Sequence, residues 1–101
     1  MVAPSIDALD ALKARAGAAI EAEATALQDI AIALGQRPEL SWHEVESARR
    51  LREFLGQRGF AIEAGVGGFE TAFKATLDSG RPGPTVAFIA EYDALPGVGH
   101  G

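Results

Sequence analysis

A chain of 101 residues has room for one small domain at most, and its 48% hydrophobic and 23% charged residues describe a globular chain rather than a disordered one. A net charge of −5 argues against a nucleic-acid partner, because phosphate binding needs a clustered positive surface. The lack of any cysteine excludes disulfides and thiolate ligands from these residues and fits a reducing, cytoplasmic setting.

The chain opens without a basic region followed by an apolar run, so no secretory signal is expected. No unbroken apolar stretch reaches the roughly 18 residues that would span a bilayer, and no membrane partner is expected. Ser5 to Leu34 reads as one helix. Ile6, Leu9, Leu12, Ala16, Ile20, Leu27, Ile30 and Leu34 recur at steps of three, four or their sums and so share a face. Ser5 can cap the first turn, and Asp7 sits where the helix dipole favours an anion. Gly17 weakens the middle of this helix, and Gly35 supplies a stop ahead of Pro38.

A second helix is expected from Trp42 to Arg58. In Leu40-Ser41-Trp42-His43-Glu44-Val45, Ser41 and Glu44 have the spacing of a capping box, and Leu40 and Val45 that of a hydrophobic staple. The apolar stripe Trp42, Val45, Ala48, Leu51, Leu55 places Trp42 in the core and leaves His43 at the surface. Arg49, Arg50 and Arg52, the densest basic group, read as a solvated helix face. Gly59 is the expected stop.

Beyond Gly59 the period changes to two. Phe60, Ile62, Ala64 and Val66 alternate with Ala61, Glu63 and Gly65 as in a half-buried strand, which Gly67-Gly68 ends. Thr71, Phe73, Ala75 and Leu77 alternate in a second strand, and Asp78 to Gly83 is a loop by composition. Thr85 to Glu91 is apolar on both faces and reads as a third, central strand; a hairpin with the second is the expected pairing, although the six-residue loop leaves other pairings open. The expected fold is therefore α/β: two N-terminal helices followed by three strands. Two helices are scant cover for such a sheet, so the domain reads as incomplete, with exposed apolar surface and a tendency to associate.

The residues best placed for chemistry follow that third strand. Glu91 and Asp93, two residues apart, would point to one face at the carboxyl end of a strand, where ligands gather in open α/β sheets. Two acids there can ligate a metal, orient a ligand histidine or act as base, or they can simply hydrogen-bond a turn closed by Pro96-Gly97. His100 lies between glycines, which let a ligand approach the backbone, and imidazole is the commonest metal ligand. A solvated terminal histidine is the plainer alternative. Gly97-x-Gly99 is too short for a dinucleotide fingerprint, with no following helix or nearby basic residue.

Glu91-Tyr92-Asp93-Ala94-Leu95-Pro96-Gly97-Val98-Gly99-His100-Gly101 resembles the first active-site motif of the metallopeptidase and amidohydrolase family of aminoacylase, carboxypeptidase G and the aminobenzoyl-glutamate hydrolases. It is most similar to the branch of aminobenzoyl-glutamate utilisation proteins and related dipeptidases. Pro38-Glu39-Leu40-Ser41, Gly65-Val66-Gly67-Gly68 and Glu70-Thr71-Ala72-Phe73 carry the same likeness, which extends from Ile30 to Gly101.

The resemblance implies a zinc-peptidase-like catalytic domain built on a mixed sheet, with an inserted smaller domain that often dimerises. Residues 1–101 would be a partial N-terminal segment of that catalytic domain, without the inserted domain or the C-terminal half. The family uses zinc or another divalent metal to activate water against an amide bond of an N-acyl amino acid, dipeptide or aminobenzoyl-glutamate type substrate. By the same likeness Asp93 is the catalytic aspartate that orients a metal ligand. Glu91 stands where other branches carry a ligand histidine, and a carboxylate there can still coordinate. With His100 it completes the candidate metal-site residues of this chain. The main ligands, from a Cys-Gly-His run, are expected beyond Gly101, as is the glutamate general base. Residues 1–101 alone are then expected to be inactive, and the full-length enzyme to be a cytoplasmic homodimer. The rival reading is a non-catalytic interaction domain that uses the surface of the two helices.

Overall fold

A computed structural model describes residues 3–99. The chain forms two compact units, the first ending at Ile32 and the second beginning at Ala33. His100 lies outside the described residues.

The long N-terminal helix is two helices, α1 (Ile6–Ala22) and α2 (Ala24–Gln36), separated at Glu23. Ser5 caps α1 as its chemistry suggests, its side chain accepting the Ala8 N–H at 3.1 Å. The interruption falls at Glu23 and not at Gly17, which stays helical. Neither helix fully buries a residue, so the apolar row of α1 finds no core among the described residues.

The second unit holds α3 (Val45–Gln57), the strands β1 (Ala61–Ala64) and β2 (Phe73–Thr76), and a 3-10 turn over Val66–Gly68. Gly59, with φ of 89°, follows the last residues of α3 as the expected stop, since that backbone conformation disfavours any side chain. β1 and β2 pair antiparallel, with Ala61 opposite Thr76 and Ala64 opposite Phe73. The alternation expected of the second strand is present: Phe73 and Ala75 turn inward, Lys74 and Thr76 outward. Lys74 meets Glu63 across the ladder at 3.2 Å. α3 packs against this hairpin.

The third strand does not form. Thr85 to Glu91 makes no ladder, and Phe88 and Ile89 are 94% and 95% exposed. The expected pairing of second and third strands is replaced by that of first and second, and the sheet formed by the described residues is two-stranded and antiparallel. An apolar run says that a segment would gain from burial; a strand also needs a neighbour to exchange hydrogen bonds with. Among the described residues none flanks this run. The α/β character stands, carried by three helices and two strands.

The start of α3 differs as well. It begins at Val45, with Glu44 and not Ser41 as its N-cap residue. Leu40, Ser41, Trp42 and His43 form a tight turn in which the His43 N–H donates to the Leu40 carbonyl at 2.9 Å. Trp42 takes a left-handed φ of 71°, costly for a residue with a side chain, and is 65% exposed instead of buried. Its ring stacks on Phe69 at a centroid distance of 4.6 Å, which offsets part of that cost. Leu40 and Val45 are both exposed, so no staple closes.

The capping role passes to a residue outside the helix. Glu39 reaches across the turn and accepts from the Glu46 N–H at 3.1 Å, the Ser47 N–H at 2.6 Å and the Ser47 hydroxyl at 2.6 Å. Burial pushes the Glu39 carboxyl up, but those three donors outweigh it and hold it below its ordinary value of 4.5. On the solvent side of α3, Arg49 binds Glu46 and Glu53 and holds the Glu46 carboxyl down at about 2. Arg49 and Arg50, which also pairs with Glu46, thus form a solvated, ion-paired helix face as the composition indicates, while Arg52 is half-buried.

Candidate functional site

The residues that converge on Asp93 come from the turn before α3, the segment before β2 and the run that follows the exposed apolar stretch. Backbone contacts set the frame. The Ala94 N–H donates to the Glu39 carbonyl at 2.7 Å, and Leu40 and Ala94 form an isolated parallel bridge. Ala94 is buried, one of two buried apolar residues beside Ala48 among those described. The chain at 93–94 is therefore held by the turn ahead of α3 and not by a sheet.

Side chains complete the attachment. The Ser41 hydroxyl donates to Asp93 Oδ2 at 2.7 Å. The Tyr92 hydroxyl donates to the Thr71 carbonyl, and its ring lies 6.1 Å from that of Phe73. Burial pushes the Tyr92 phenol up, the Glu44 charge adds to this, and Arg52 opposes it. The phenol therefore stays a donor at neutral pH. The Thr71 hydroxyl in turn donates to Glu44 Oε2 at 2.8 Å, and both residues are buried. Ser41 and Glu44, spaced as a capping box, thus spend their side chains on partners 52 and 27 residues away.

Glu44 relies on Thr71 for this bond, so Thr71→Val is expected to lower stability by about 1–3 kcal/mol. Valine matches the volume but presents no donor to a buried carboxylate. Urea unfolding of the two proteins measures the difference, and equal midpoints would count against the link.

A cavity of about 290 Å³ opens beside these groups, with Ser41, Trp42, Glu44, Glu91, Tyr92 and Asp93 among its walls. The structure thus brings Glu91 and Asp93 to one cavity, Glu91 exposed and Asp93 half-buried. Three of its walls carry carboxyl groups and none is basic, so the cavity is rich in acceptors. Among the described residues, no group of three His, Cys, Asp or Glu side chains could hold a metal ion. Glu91 and Asp93 alone do not fit a zinc site, which needs three protein ligands. No helix among the described residues is long and apolar enough to cross a membrane.

Sequence reasoning singled out Asp93 and Glu91 but missed Ser41, Glu44, Thr71 and Tyr92 as parts of the site. The motif signal lay in the run around Asp93. Ser41, Thr71 and Tyr92 lie in stretches that carry the family likeness, but none was given a role, and Glu44 read as part of a capping box.

No family model matches the chain. Three relatives are similar over most of it. One is a p-aminobenzoyl-glutamate hydrolase chain of Escherichia coli, 38% identical over 80 residues, which are 79% of this chain and 16% of that protein. Human Xaa-Arg dipeptidase is 33% identical over 103 residues, covering 91% of this chain and 24% of the relative. Thermostable carboxypeptidase 2 of Saccharolobus solfataricus is 39% identical over 61 residues, 60% of this chain and 15% of its own. The chain thus spans between about a seventh and a quarter of the length of these curated relatives. Shared sequence on that scale assigns the chain to the peptidase and amidohydrolase family that these enzymes represent.

Proposed function

We propose that residues 1–101 are part of the zinc-peptidase-like catalytic domain of a metal-dependent amidohydrolase or peptidase. Its substrate is a small amide: an N-acyl amino acid, a dipeptide or an aminobenzoyl-glutamate type of compound. The observation that carries this reading is the likeness to relatives whose names specify aminobenzoyl-glutamate hydrolysis, carboxypeptidase and dipeptidase activity. The anchored Asp93 at the wall of an acceptor-rich cavity supports it. In this reading Asp93 orients a ligand of zinc or another divalent metal, and Glu91 lies at the margin of the site. The metal would be held mainly by residues other than 3–99, with His100 a candidate among them. The metal supplies carbonyl polarisation and activated water. The described residues contribute placement: a fixed carboxylate, and a cavity wall built from the turn before α3. The complete enzyme is proposed to be a cytoplasmic homodimer with a second, inserted domain.

The test is hydrolysis by the complete enzyme of a panel comprising aminobenzoyl-glutamate, N-acetyl amino acids and dipeptides, read as released amine. At least one member is expected to be cleaved, with the activity lost on dialysis against a chelator and restored by zinc or another divalent ion. Failure to cleave any member would favour the interaction-domain alternative. Cleavage indifferent to the chelator would overturn the metal dependence.

A further inference from the structure

We propose that Ser41 is a positioning residue for Asp93. This rests on the reading of Asp93 given above and names how that carboxylate is held in place. The Ser41 hydroxyl donates to Oδ2 at 2.7 Å, a charge-assisted bond of roughly twice the strength of a neutral one. A carboxylate turns about a broad, two-fold torsion, so an untethered aspartate presents either oxygen over a range of directions. With Oδ2 tied to Ser41, the plane of the group is set and Oδ1 is the oxygen left for the ligand that Asp93 orients. Among the described residues Ser41 is the hydrogen-bond partner of this carboxylate.

The turn that carries Ser41 is also held by backbone contacts that do not involve its side chain. The Leu40–Ala94 bridge, the Ala94 N–H on the Glu39 carbonyl and the His43 N–H on the Leu40 carbonyl place its backbone. The left-handed Trp42, stacked on Phe69, closes the turn behind it. A strained φ held by a tertiary contact is what a turn needs when it must deliver one hydroxyl to one oxygen. Removing that hydroxyl leaves the scaffold standing, which separates orientation from folding.

The experiment measures kcat and KM of the complete enzyme on the best-cleaved amide of the panel. Ser41→Ala is expected to lower kcat about tenfold with KM changed less than about twofold, the effect of losing an orienting bond to a charged group. Ser41→Cys, which keeps the volume but donates weakly, is expected to lose kcat similarly. Ser41→Thr, which keeps the hydroxyl on the same carbon, is expected to recover most of it. Circular dichroism melts of all three confirm that folded proteins are compared. Parental kcat in Ser41→Ala and Ser41→Cys, a loss confined to KM, or no recovery in Ser41→Thr overturns the inference. If Asp93→Ala collapses turnover while Ser41→Ala does not, only the role of Ser41 falls. If Asp93→Ala keeps parental turnover, the role of Asp93 falls and that of Ser41 with it.

Discussion

Asp93→Ala is expected to lower the turnover of the complete enzyme by about 100-fold or more while leaving it folded. The size of the effect follows from what the carboxylate does in the proposed site. Groups that orient a metal ligand act through geometry, and misplacing a reacting group by about an ångström removes much of the benefit of proximity. Folding is expected to survive because the segment is anchored independently of this side chain. Ala94 is bonded through its backbone to Glu39, and Tyr92 reaches the Thr71 carbonyl. Asp93 is half-buried, and among the described residues its side-chain link is the bond to Ser41. Steady-state kinetics paired with thermal unfolding separates the two effects. Parental turnover in a folded Asp93→Ala protein would remove Asp93 from the site.

Glu39→Ala should produce the largest loss of stability. One carboxylate satisfies two of the N–H groups exposed at the start of α3 and also the hydroxyl of buried Ser47. Alanine leaves all three without their acceptor, at a combined cost of about 2–3 kcal/mol. Glu39→Gln keeps an acceptor oxygen without the charge and should recover part of this. The pH dependence has a defined sign. Because the folded protein holds the Glu39 carboxyl below its ordinary 4.5, its contribution is fully present above that pH and declines as pH falls through the lower, folded value. The stability gap between the parent and Glu39→Ala should therefore narrow below pH 4.5. Urea unfolding across that range measures it, and a gap that widens with acid would contradict the capping role.

Local rules recovered those elements whose stability is local. The cap at Ser5, the stop at Gly59 and the Asp78 turn, in which the Gly80 N–H donates to Oδ1 at 2.8 Å, depend on neighbours a few residues away. They fail where a distant partner competes. Ser41 and Glu44 satisfy the spacing of a capping box, yet Asp93 and Thr71 claim their side chains, and Glu39 takes over the helix end. No propensity places a tryptophan at positive φ, so the exposure of Trp42 had no signal in the sequence. The apolar run at 85–90 carried a true hydrophobic signal but no information on what would lie beside it. Asp93 stood out for a different reason: the run around it, Glu91 to Gly101, resembles a family active-site motif. Its partner Ser41 was assigned a role only as a helix cap, although it lies in a stretch that carries the family likeness.

The transfer of the helix cap to Glu39 turns the five residues from Leu40 to Glu44 into a gauge. Surface loops ordinarily accept an extra residue, because lengthening a flexible loop adds little to its closure entropy. This one is gripped at both ends, by the Glu39 side chain on Ser47 and by the Glu39 backbone on Ala94. It also carries Ser41 to Asp93 from between those grips. A single inserted or deleted residue would shift hydroxyl and helix start together, so variation in chain length should be as strictly barred here as in a packed core, although the turn lies open to solvent.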